Sequence, residues 1–241
     1  KQQVVNVIGT PMTNTVMLNV FSMLLTFIIA VPLGIVTAVR KNTVFDKVVQ
    51  VGTIVGYSLP SFIIALLAIF VFAVKIPIFP ISGVRSAGFS GNTFQLMLGT
   101  LWHMALPLMI LVILRTASYY MLMKSTVQTI RDEEYITVAR GKGFSQGQVL
   151  RRHVLKNALC PYLTSVCMQF GHILGGSMLV EVVFSWKGMG TLIYDAVNTK
   201  DFPILQTCFL FIGICVVAFN LLADVLNMLI DPRLREEDRH A

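Results

Sequence analysis

Five long apolar stretches constrain this sequence more than any other feature. They cover residues 15–39, 48–74, 96–123, 158–184 and 203–230. As α-helices rising about 1.5 Å per residue, all of them are long enough to cross about 30 Å of hydrocarbon. Helices also satisfy their backbone polar groups internally, which the water-free interior of a bilayer requires. The sequence therefore predicts an all-α, polytopic bundle of transmembrane helices.

The composition favours a membrane protein over a soluble one. Of the 241 residues, 55% are hydrophobic and only 13% are charged, which leaves too little polar surface to cover a soluble domain. The net charge of +7 could indicate nucleic-acid binding. However, most Lys and Arg residues fall at 40–47, 124–156 and 233–239, between or after apolar stretches. This clustering is typical of cytoplasmic segments under the positive-inside rule, so nucleic acid is not an expected partner.

Placing the three basic segments in the cytoplasm fixes the topology of the whole chain. The loops at 75–95 and 185–201 then lie outside, and the C-terminus lies in the cytoplasm. Lys1 would also lie outside, so we expect a further N-terminal span before it. We expect an external lead-in at residues 1–14 and a transmembrane domain at 15–230, which includes a cytoplasmic loop at 131–157. A cytoplasmic tail follows at 231–241.

The loop at 131–157 keeps its charge and a helix-forming pattern within an otherwise apolar chain. Glu134 and Arg140 stand where they complement the dipole of a first short helix. Gly143 is suited to the left-handed conformation that ends a helix. Ser145, followed three residues later by Gln148, has the spacing of a capping box. The pattern therefore predicts two short helices joined by a glycine turn.

Two interpretations of this loop stay open from its pattern alone. In the second helix, Val149 and Val154 share one face, while Arg151 and Arg152 take the others. An amphipathic segment of this kind can lie on anionic lipid headgroups as an interfacial connector. It can also act as a rigid lever that docks into a partner protein.

Polar residues in the fourth apolar stretch are candidates for a solute pathway. Gln169 and His172 share a helix face, and Ser177 and Glu181 follow toward the external end. Polar groups inside spans are costly, so they indicate either function or a bond to a neighbouring helix. These four residues could line a pathway through the membrane. Glu181 could instead fix the loop that follows it.

The sequence carries no motif for nucleotide or metal chemistry. It contains no GxxxxGK[ST], and the glycines of the 131–157 loop lack the GxGxxG spacing and follow no strand. The four cysteines lie in or beside apolar stretches without a CxxC pair, so neither a metal site nor a disulfide is predicted. No cofactor is expected in this chain, and energy from ATP would have to arrive through a partner.

Motifs along nearly the whole chain resemble the permease subunits of binding-protein-dependent ABC importers, in particular their oligopeptide, dipeptide and nickel branch. The most specific is the loop sequence YITVARGKGFS at 135–145. Others are SLPSF at 58–62, EVVFSWKGMG at 181–190 and DPRLR at 231–235. Together, and in the family's order, they identify the chain as a member of that branch.

Two positions depart from the pattern that the resemblance leads us to expect. Thr137 stands where the wider superfamily usually has glutamate, a residue that the peptide and nickel branch often lacks. Lys187 stands where the branch more often has proline, which affects the geometry expected for that loop. The first departure concerns the subclass more than the family.

The resemblance implies a type I ABC importer permease fold and a multi-pass subunit of the bacterial inner membrane. The implied partners are a second homologous permease subunit, two ABC ATPase subunits that bind ATP and Mg, an extracytoplasmic substrate-binding protein, and membrane lipid. The 131–157 loop would dock into a cleft of an ATPase subunit. The docking residues carried over are Tyr135, Ala139, Gly143, Phe144 and Ser145, with Glu134, Arg140 and Arg152 as polar support.

The substrate and the energy source have alternatives. Within the branch, nickel or a metal–metallophore complex is the alternative to short peptides, and His172 keeps it open. An ion-gradient-driven secondary transporter would predict paired intramembrane carboxylates and often an inverted repeat. A membrane-embedded enzyme would predict HExxH, GxSxG or a carboxylate pair within the spans. None of these patterns is evident, so the expected function is half of a peptide pathway in an ATP-driven importer, without an ATPase site of its own.

Overall fold

The computed structural model describes residues 4–86, 91–171 and 177–230, and all regular structure in these ranges is helical. The helices, in chain order, are α1 Val4–Val39, α2 Val44–Ser58, α3 Ser61–Ile69, α4 Thr93–Arg131, α5 Glu134–Gly141, α6 Gln146–Val149, α7 Leu155–Gly171, α8 Met178–Val183, α9 Met189–Thr199 and α10 Phe202–Ile230. Two π-helical segments extend this set, Phe70–Lys75 after α3 and Leu150–Val154 between α6 and α7.

The long helices account for most of the predicted spans. Within the described residues, three segments are long and apolar enough to cross a membrane as single helices, namely Val7–Val39, Thr93–Arg131 and Phe202–Val225. The second predicted stretch forms a bent pair, α2 with α3 and its π-helical extension, which makes a fourth span if it is counted as one. The fourth predicted stretch includes residues 172–176, which lie outside the described residues. The prediction of an all-α polytopic bundle is confirmed, and the number of spans is approximate.

Proline explains the sharp bend in the second span. The two helices of the pair meet at 97° across a short break, and Pro60 stands in that break with an extended backbone, φ −58° and ψ 134°. Proline lacks an N–H and prevents the residue before it from adopting the α conformation, so α2 ends there. Pro60 therefore accounts for the bend of this span. Pro32, by contrast, lies within α1, which continues through it without a break.

The described chain divides into two compact units. The first consists of Lys1–Thr26, Val55–Arg115 and His172–Ile214, and the second of Phe27–Ile54, Thr116–Gly171 and Cys215–Ala241.

The core of the first unit is built from α1, α3, α4 and the segment around α8. Leu18, Ala65, Met104 and Phe184 are among its fully or nearly fully buried members, and Trp186 has no exposed surface at all. Lipid is as apolar as these side chains, so close packing and internal hydrogen bonds hold such a core together.

The second unit contains a close approach between α1 and α4. A Cβ added to Gly34 would lie 2.7 Å from the Cβ of Met123, a distance that only glycine permits. Phe27 lies on α1 about two helical turns before Gly34. Its ring packs edge to face against the rings of Tyr119 and Tyr162, with centroid distances of 5.3 and 6.0 Å. Edge-to-face pairs of this kind add specificity beyond simple burial.

An ion pair fixes the connection between α1 and α2 to α4 in the second unit. The buried carboxylate of Asp46 pairs with Lys124 of α4. Its second oxygen accepts the backbone N–H of Asn42 at 3.0 Å, and Asn42 has a left-handed backbone with φ 67°. Asparagine tolerates this conformation better than most residues, and the turn is thereby held to α4.

Candidate functional site

The predicted helix, glycine turn and second helix are present in the 131–157 loop, within the second unit. Helix α5 begins at Glu134, with Glu133 in extended conformation before it, and ends at Gly141. Glu134 lies in its first turn and Arg140 in its last, where each charge is favourable to the helix dipole. The charge pattern of the sequence therefore predicted this helix, with the acidic residue at its start and the basic residue at its end.

Gly143 makes the turn between the two helices. It has φ +86°, in the left-handed region, and its N–H donates to the carbonyl of Arg140 at 3.0 Å. A Cβ at this position would meet nothing within 4 Å. Glycine is therefore required by the backbone conformation and not by crowding.

The capping box predicted at the start of the second helix is confirmed. The N–H of Ser145 donates to Oε1 of Gln148 at 2.9 Å, and the N–H of Gln148 donates to Oγ of Ser145 at 3.4 Å. Helix α6 is only Gln146–Val149, and the π-helical segment Leu150–Val154 carries the chain into α7. The hydrophobic period of the sequence did not show this π-helical segment, because a single wider turn hardly alters it.

The loop has one buried face and one exposed face. Ile136, Val149 and Val154 are at most 2% exposed, whereas Val138 is 57% exposed and Tyr135 is 42% exposed. The buried residues fix the loop to its own unit, and the exposed apolar residues leave a surface that nothing in the described chain covers.

The residues predicted to dock or support docking are nearly all on the exposed side. Glu134, Tyr135, Arg140, Gly143, Phe144, Ser145 and Arg152 are exposed, whereas Ala139 is buried at 6% exposure. The hydroxyl of Tyr135 accepts from Nδ2 of Asn157 at 2.7 Å. The Phe144 ring contacts the His153 ring in a tilted arrangement, with centroids 5.8 Å apart. These contacts hold the two aromatic side chains in place at the surface.

The end of α4 ties the loop to α1. Nη1 of Arg131 donates to the carbonyl of Ala38 at 2.8 Å. A cleft of about 140 Å³ lies beside this contact, with Val39, Arg140 and Gln146 in its lining. Movement of the loop would therefore be transmitted to α1 and α4 of the same unit.

Removing the Ser145 hydroxyl should loosen the second helix without unfolding the protein. Loss of an N-cap side chain typically costs about 1 kcal/mol of helix stability. We expect Ser145→Ala to raise the amide hydrogen-exchange rate of α6 about threefold to tenfold at unchanged abundance in the membrane. Ser125→Ala is the matched control, because the described hydrogen bond of its hydroxyl goes to the carbonyl of Leu122 in its own helix. Equal exchange rates of α6 in the two variants would contradict a role for this cap.

The candidate pathway residues are only partly described. His172 and the Gln169 side chain lie outside the part of the chain that can be described, so their predicted shared role stays a prediction. Ser177 and Glu181 are buried in the first unit, at 1% and 0% exposure. The structure brings these two together, because Oγ of Ser177 donates to Oε1 of Glu181 at 2.8 Å.

Glu181 is the centre of a hydrogen-bonded cluster. Oε1 also accepts from Oγ1 of Thr15 at 2.8 Å, and Oε2 accepts from the N–H of Gly190 at 2.8 Å. Three donors on one carboxylate are typical of an ionised, acceptor-only group. In this arrangement Glu181 holds the segment that follows it, which was the alternative role expected for it.

The segment in question, residues 184–190, is called the 184–190 turn below. Three further hydrogen bonds fix this turn to α1. Nδ2 of Asn14 donates to the carbonyl of Lys187 at 2.7 Å, and Nε1 of Trp186 donates to the carbonyl of Asn14 at 3.2 Å. The N–H of Met189 donates to Oγ1 of Thr15 at 2.7 Å. Asn14, for which the sequence offered no role, is thus an anchor of this turn.

Sequence reasoning also missed Arg115 and Asn19, which are hydrogen-bonded to one another and, through Ser177, to this cluster. Arg115 lies in the middle of α4 and is hydrogen-bonded to Ser22 and to Oδ1 of Asn19. The signal for Arg115 was present, because an arginine in the apolar run LVILR stands out at membrane depth. Asn19 gave no such signal, since asparagine in a span has many uses.

Comparison with known proteins agrees with the fold. The model of the family described as "Binding-protein-dependent transport system inner membrane component" matches residues 30–236. The chain is 34% identical over 221 residues to a putative peptide permease protein of Brucella suis biovar 1 (strain 1330), covering 92% of this chain and 68% of that protein.

Two further relatives and two solved structures give the same result. The oligopeptide transport system permease protein AppB of Bacillus subtilis (strain 168) is 31% identical, over 94% of this chain and 73% of its own length. The dipeptide transport system permease protein DppB of Escherichia coli (strain K12) is 30% identical, over 92% and 71%. A chain of the inward-facing MetNI methionine ABC transporter has a TM-score of 0.69 at 15% identity, over 92% of this chain and 95% of that one. A chain of an amino acid ABC transporter solved with histidines has a TM-score of 0.65 at 15% identity, over 91% and 92%.

The fold is therefore that of an ABC transporter permease, a multi-pass helical membrane protein. The chain belongs to the family of inner membrane components of binding-protein-dependent transport systems. The resemblance read from its motifs is confirmed.

Proposed function

We propose that this chain is a permease subunit of an ATP-driven importer for short peptides and forms half of the translocation pathway. The observation that carries the proposal is that three relatives whose names denote peptide, oligopeptide or dipeptide permeases are 30–34% identical over 92–94% of the chain. Its partners would be a second homologous permease subunit, two ABC ATPase subunits and an extracytoplasmic binding protein.

The 131–157 loop is the proposed receiver of energy from ATP. It has an exposed surface at Tyr135, Val138 and Phe144. It is also fixed to its own unit by its buried side chains and by the hydrogen bond from Asn157 to Tyr135. A lever needs both properties, because a flexible loop would absorb the push of a partner instead of transmitting it. The contact from Arg131 to Ala38 provides the connection to α1.

The nucleotide would then act by changing the balance between two arrangements of the helices. A ligand shifts such an equilibrium only through its different affinity for the two states. Closure of two ATPase subunits on ATP, with one loop docked in each, would supply that difference. We place the loop and the C-terminus in the cytoplasm, in agreement with the basic residues on both segments.

Release of peptide from inside-out vesicles tests this function. Inside-out vesicles that contain the full assembly, loaded with the binding protein and a labelled dipeptide or tripeptide, should release the peptide only when ATP is supplied on the outer, cytoplasmic side, and vanadate should stop this movement. A protonophore should leave it unchanged. Movement that persists without nucleotide and stops with the protonophore would overturn the proposal in favour of a gradient-driven transporter.

The same vesicles distinguish the substrate class. Excess unlabelled dipeptide should compete with the labelled peptide, whereas nickel ions or a nickel chelate should not. Competition by nickel, or nucleotide-dependent movement of nickel without that of peptide, would reassign the substrate and leave the ATP-driven mechanism standing.

A further inference from the structure

A chain of hydrogen bonds links the half-buried Arg115 to the buried Glu181 in the first unit. Arg115 donates to Oδ1 of Asn19, and Nδ2 of Asn19 donates to Oγ of Ser177 at 2.8 Å. Oγ of Ser177 then donates to Oε1 of Glu181 at 2.8 Å. The chain crosses three elements, because Asn19 is on α1, Arg115 on α4 and Glu181 on α8.

All donors in this chain point the same way, toward the carboxylate. A second and shorter chain ends on the same oxygen, Oε1, since the N–H of Met189 donates to Oγ1 of Thr15, which donates to Glu181. Hydrogen bonds that are aligned in this manner polarise and strengthen one another in a medium of low dielectric. Both chains therefore favour an ionised Glu181.

The charge of Glu181 needs such support. Its side chain is 0% exposed, and the donors at its oxygens, the hydroxyls of Thr15 and Ser177 and the backbone N–H groups of Gly190 and Thr191, are all neutral. An ionised carboxylate that is buried without compensation is costly. Arg115 supplies a positive charge at the far end of the chain, and Asn19 transmits it because its amide accepts from the guanidinium and donates to Ser177.

We propose that Arg115, Asn19 and Ser177 form a relay that keeps Glu181 ionised and, through it, holds the 184–190 turn against α1. Arg115 and Asn19 are positioning residues in this scheme, acting on a turn that neither of them contacts in the described structure. The importance of the relay for transport rests on the proposed function, because the turn would belong to the external end of the permease. The contacts themselves do not depend on that function.

The reactivity of a cysteine in the turn measures whether the turn is held. Met189 is 0% exposed, so a thiol placed there by Met189→Cys should react slowly with N-ethylmaleimide. The full-length protein is assayed in native membranes after its other cysteines have been replaced. We expect Arg115→Met and Asn19→Leu each to raise the labelling rate about tenfold or more, as the loss of a charge-supported hydrogen bond would do.

Two controls separate loosening of the turn from unfolding and from local damage. Met104→Cys is the matched probe, because Met104 is also buried, at 1% exposure, in the core of the same unit. Its labelling rate should not change. Ser22→Ala removes the other described side-chain partner of Arg115 and leaves the relay intact. It should leave the labelling rate at Met189→Cys within about twofold of the starting value.

The decisive comparison repeats Arg115→Met in the Glu181→Gln background. Glu181→Gln should itself raise the rate, because the amide nitrogen that replaces one carboxylate oxygen cannot accept the hydrogen bonds that this oxygen accepted. Arg115→Met should then add less than about twofold, since the charge that the relay supports has gone. The relay is wrong if Arg115→Met raises the labelling rate by the same factor in both backgrounds. It is also wrong if Arg115→Met raises the labelling rate in neither background. Because labelling is measured without substrate or nucleotide, that result is independent of the vesicle test of import.

Discussion

Replacing Gly143 by valine should abolish peptide uptake and the stimulation of ATPase activity, while the protein still inserts into the membrane. Gly143 has φ +86°, a conformation in which a β-branched residue is a genuine outlier. Forcing an L-residue into this region costs about 1–2 kcal/mol, and the loop escapes that cost by changing the angle between α5 and α6. We expect uptake to fall at least about tenfold, because a misplaced lever no longer fits its partner.

Two matched variants separate the backbone requirement from the addition of side-chain bulk. A Cβ at Gly143 meets nothing within 4 Å, so Gly143→Asn should keep uptake within about threefold of the parent, because asparagine tolerates a left-handed backbone. Gly147→Ala adds a methyl group four residues later, also with nothing within 4 Å, and should be neutral. Full uptake by Gly143→Val would show that the glycine turn does not set the geometry of a lever.

Gly190→Ala should strongly destabilise the first unit. An added Cβ would lie 2.5 Å from Cα of Met178 and 2.8 Å from Oε2 of Glu181. The first of these neighbours is backbone and cannot rotate away. Overpacking of this kind costs about 1–3 kcal/mol, and we expect the upper end together with loss of the bond from the Gly190 N–H to Glu181.

The apparent melting temperature of the solubilised assembly measures this change. For a chain of this size we expect a fall of about 6 °C or more, since about 1 kcal/mol corresponds to 2–4 °C. Gly213→Ala is the control, because a Cβ there meets nothing within 4 Å. If both variants melt at the parent temperature, the packing described around Glu181 is not that of the protein in the membrane.

Features encoded by local sequence were predictable in this chain. Helix α5, the glycine turn and the capping box of Ser145 all depend on residues within a few positions of one another, and each was identified with its partners. The bend at Pro60 belongs to the same class, because proline acts on its own backbone and on the residue before it.

The anchor of the 184–190 turn could not be predicted, because it depends on residues that are far apart in the sequence. Thr15 is 166 residues from Glu181, and Asn14 is 173 residues from Lys187. Neither Thr15 nor Asn14 has a sequence pattern that indicates its partner. The side chain of Lys187 gave no information about this anchor either. Asn14 bonds to the backbone carbonyl of Lys187, which a proline or any other residue would also supply.

The role of Glu181 was predictable only as two alternatives. Its position near the end of an apolar stretch fits a pathway residue and an anchor equally well, and only its donors distinguish them. With Thr15, Ser177 and Gly190 all donating to its carboxylate, the anchor role has direct support. The pathway role predicted for Gln169 and His172 stays a prediction.

Cross-linking from Phe144 tests most directly the claim that the 131–157 loop is held by an ATPase partner. A photoreactive phenylalanine analogue in place of Phe144, which is exposed at the turn, should cross-link to an ATPase subunit in intact membranes. The same analogue in place of Tyr194, exposed at 45% in the other unit, should not. Cross-links from Phe144 to lipid alone, with none to an ATPase, would contradict the account.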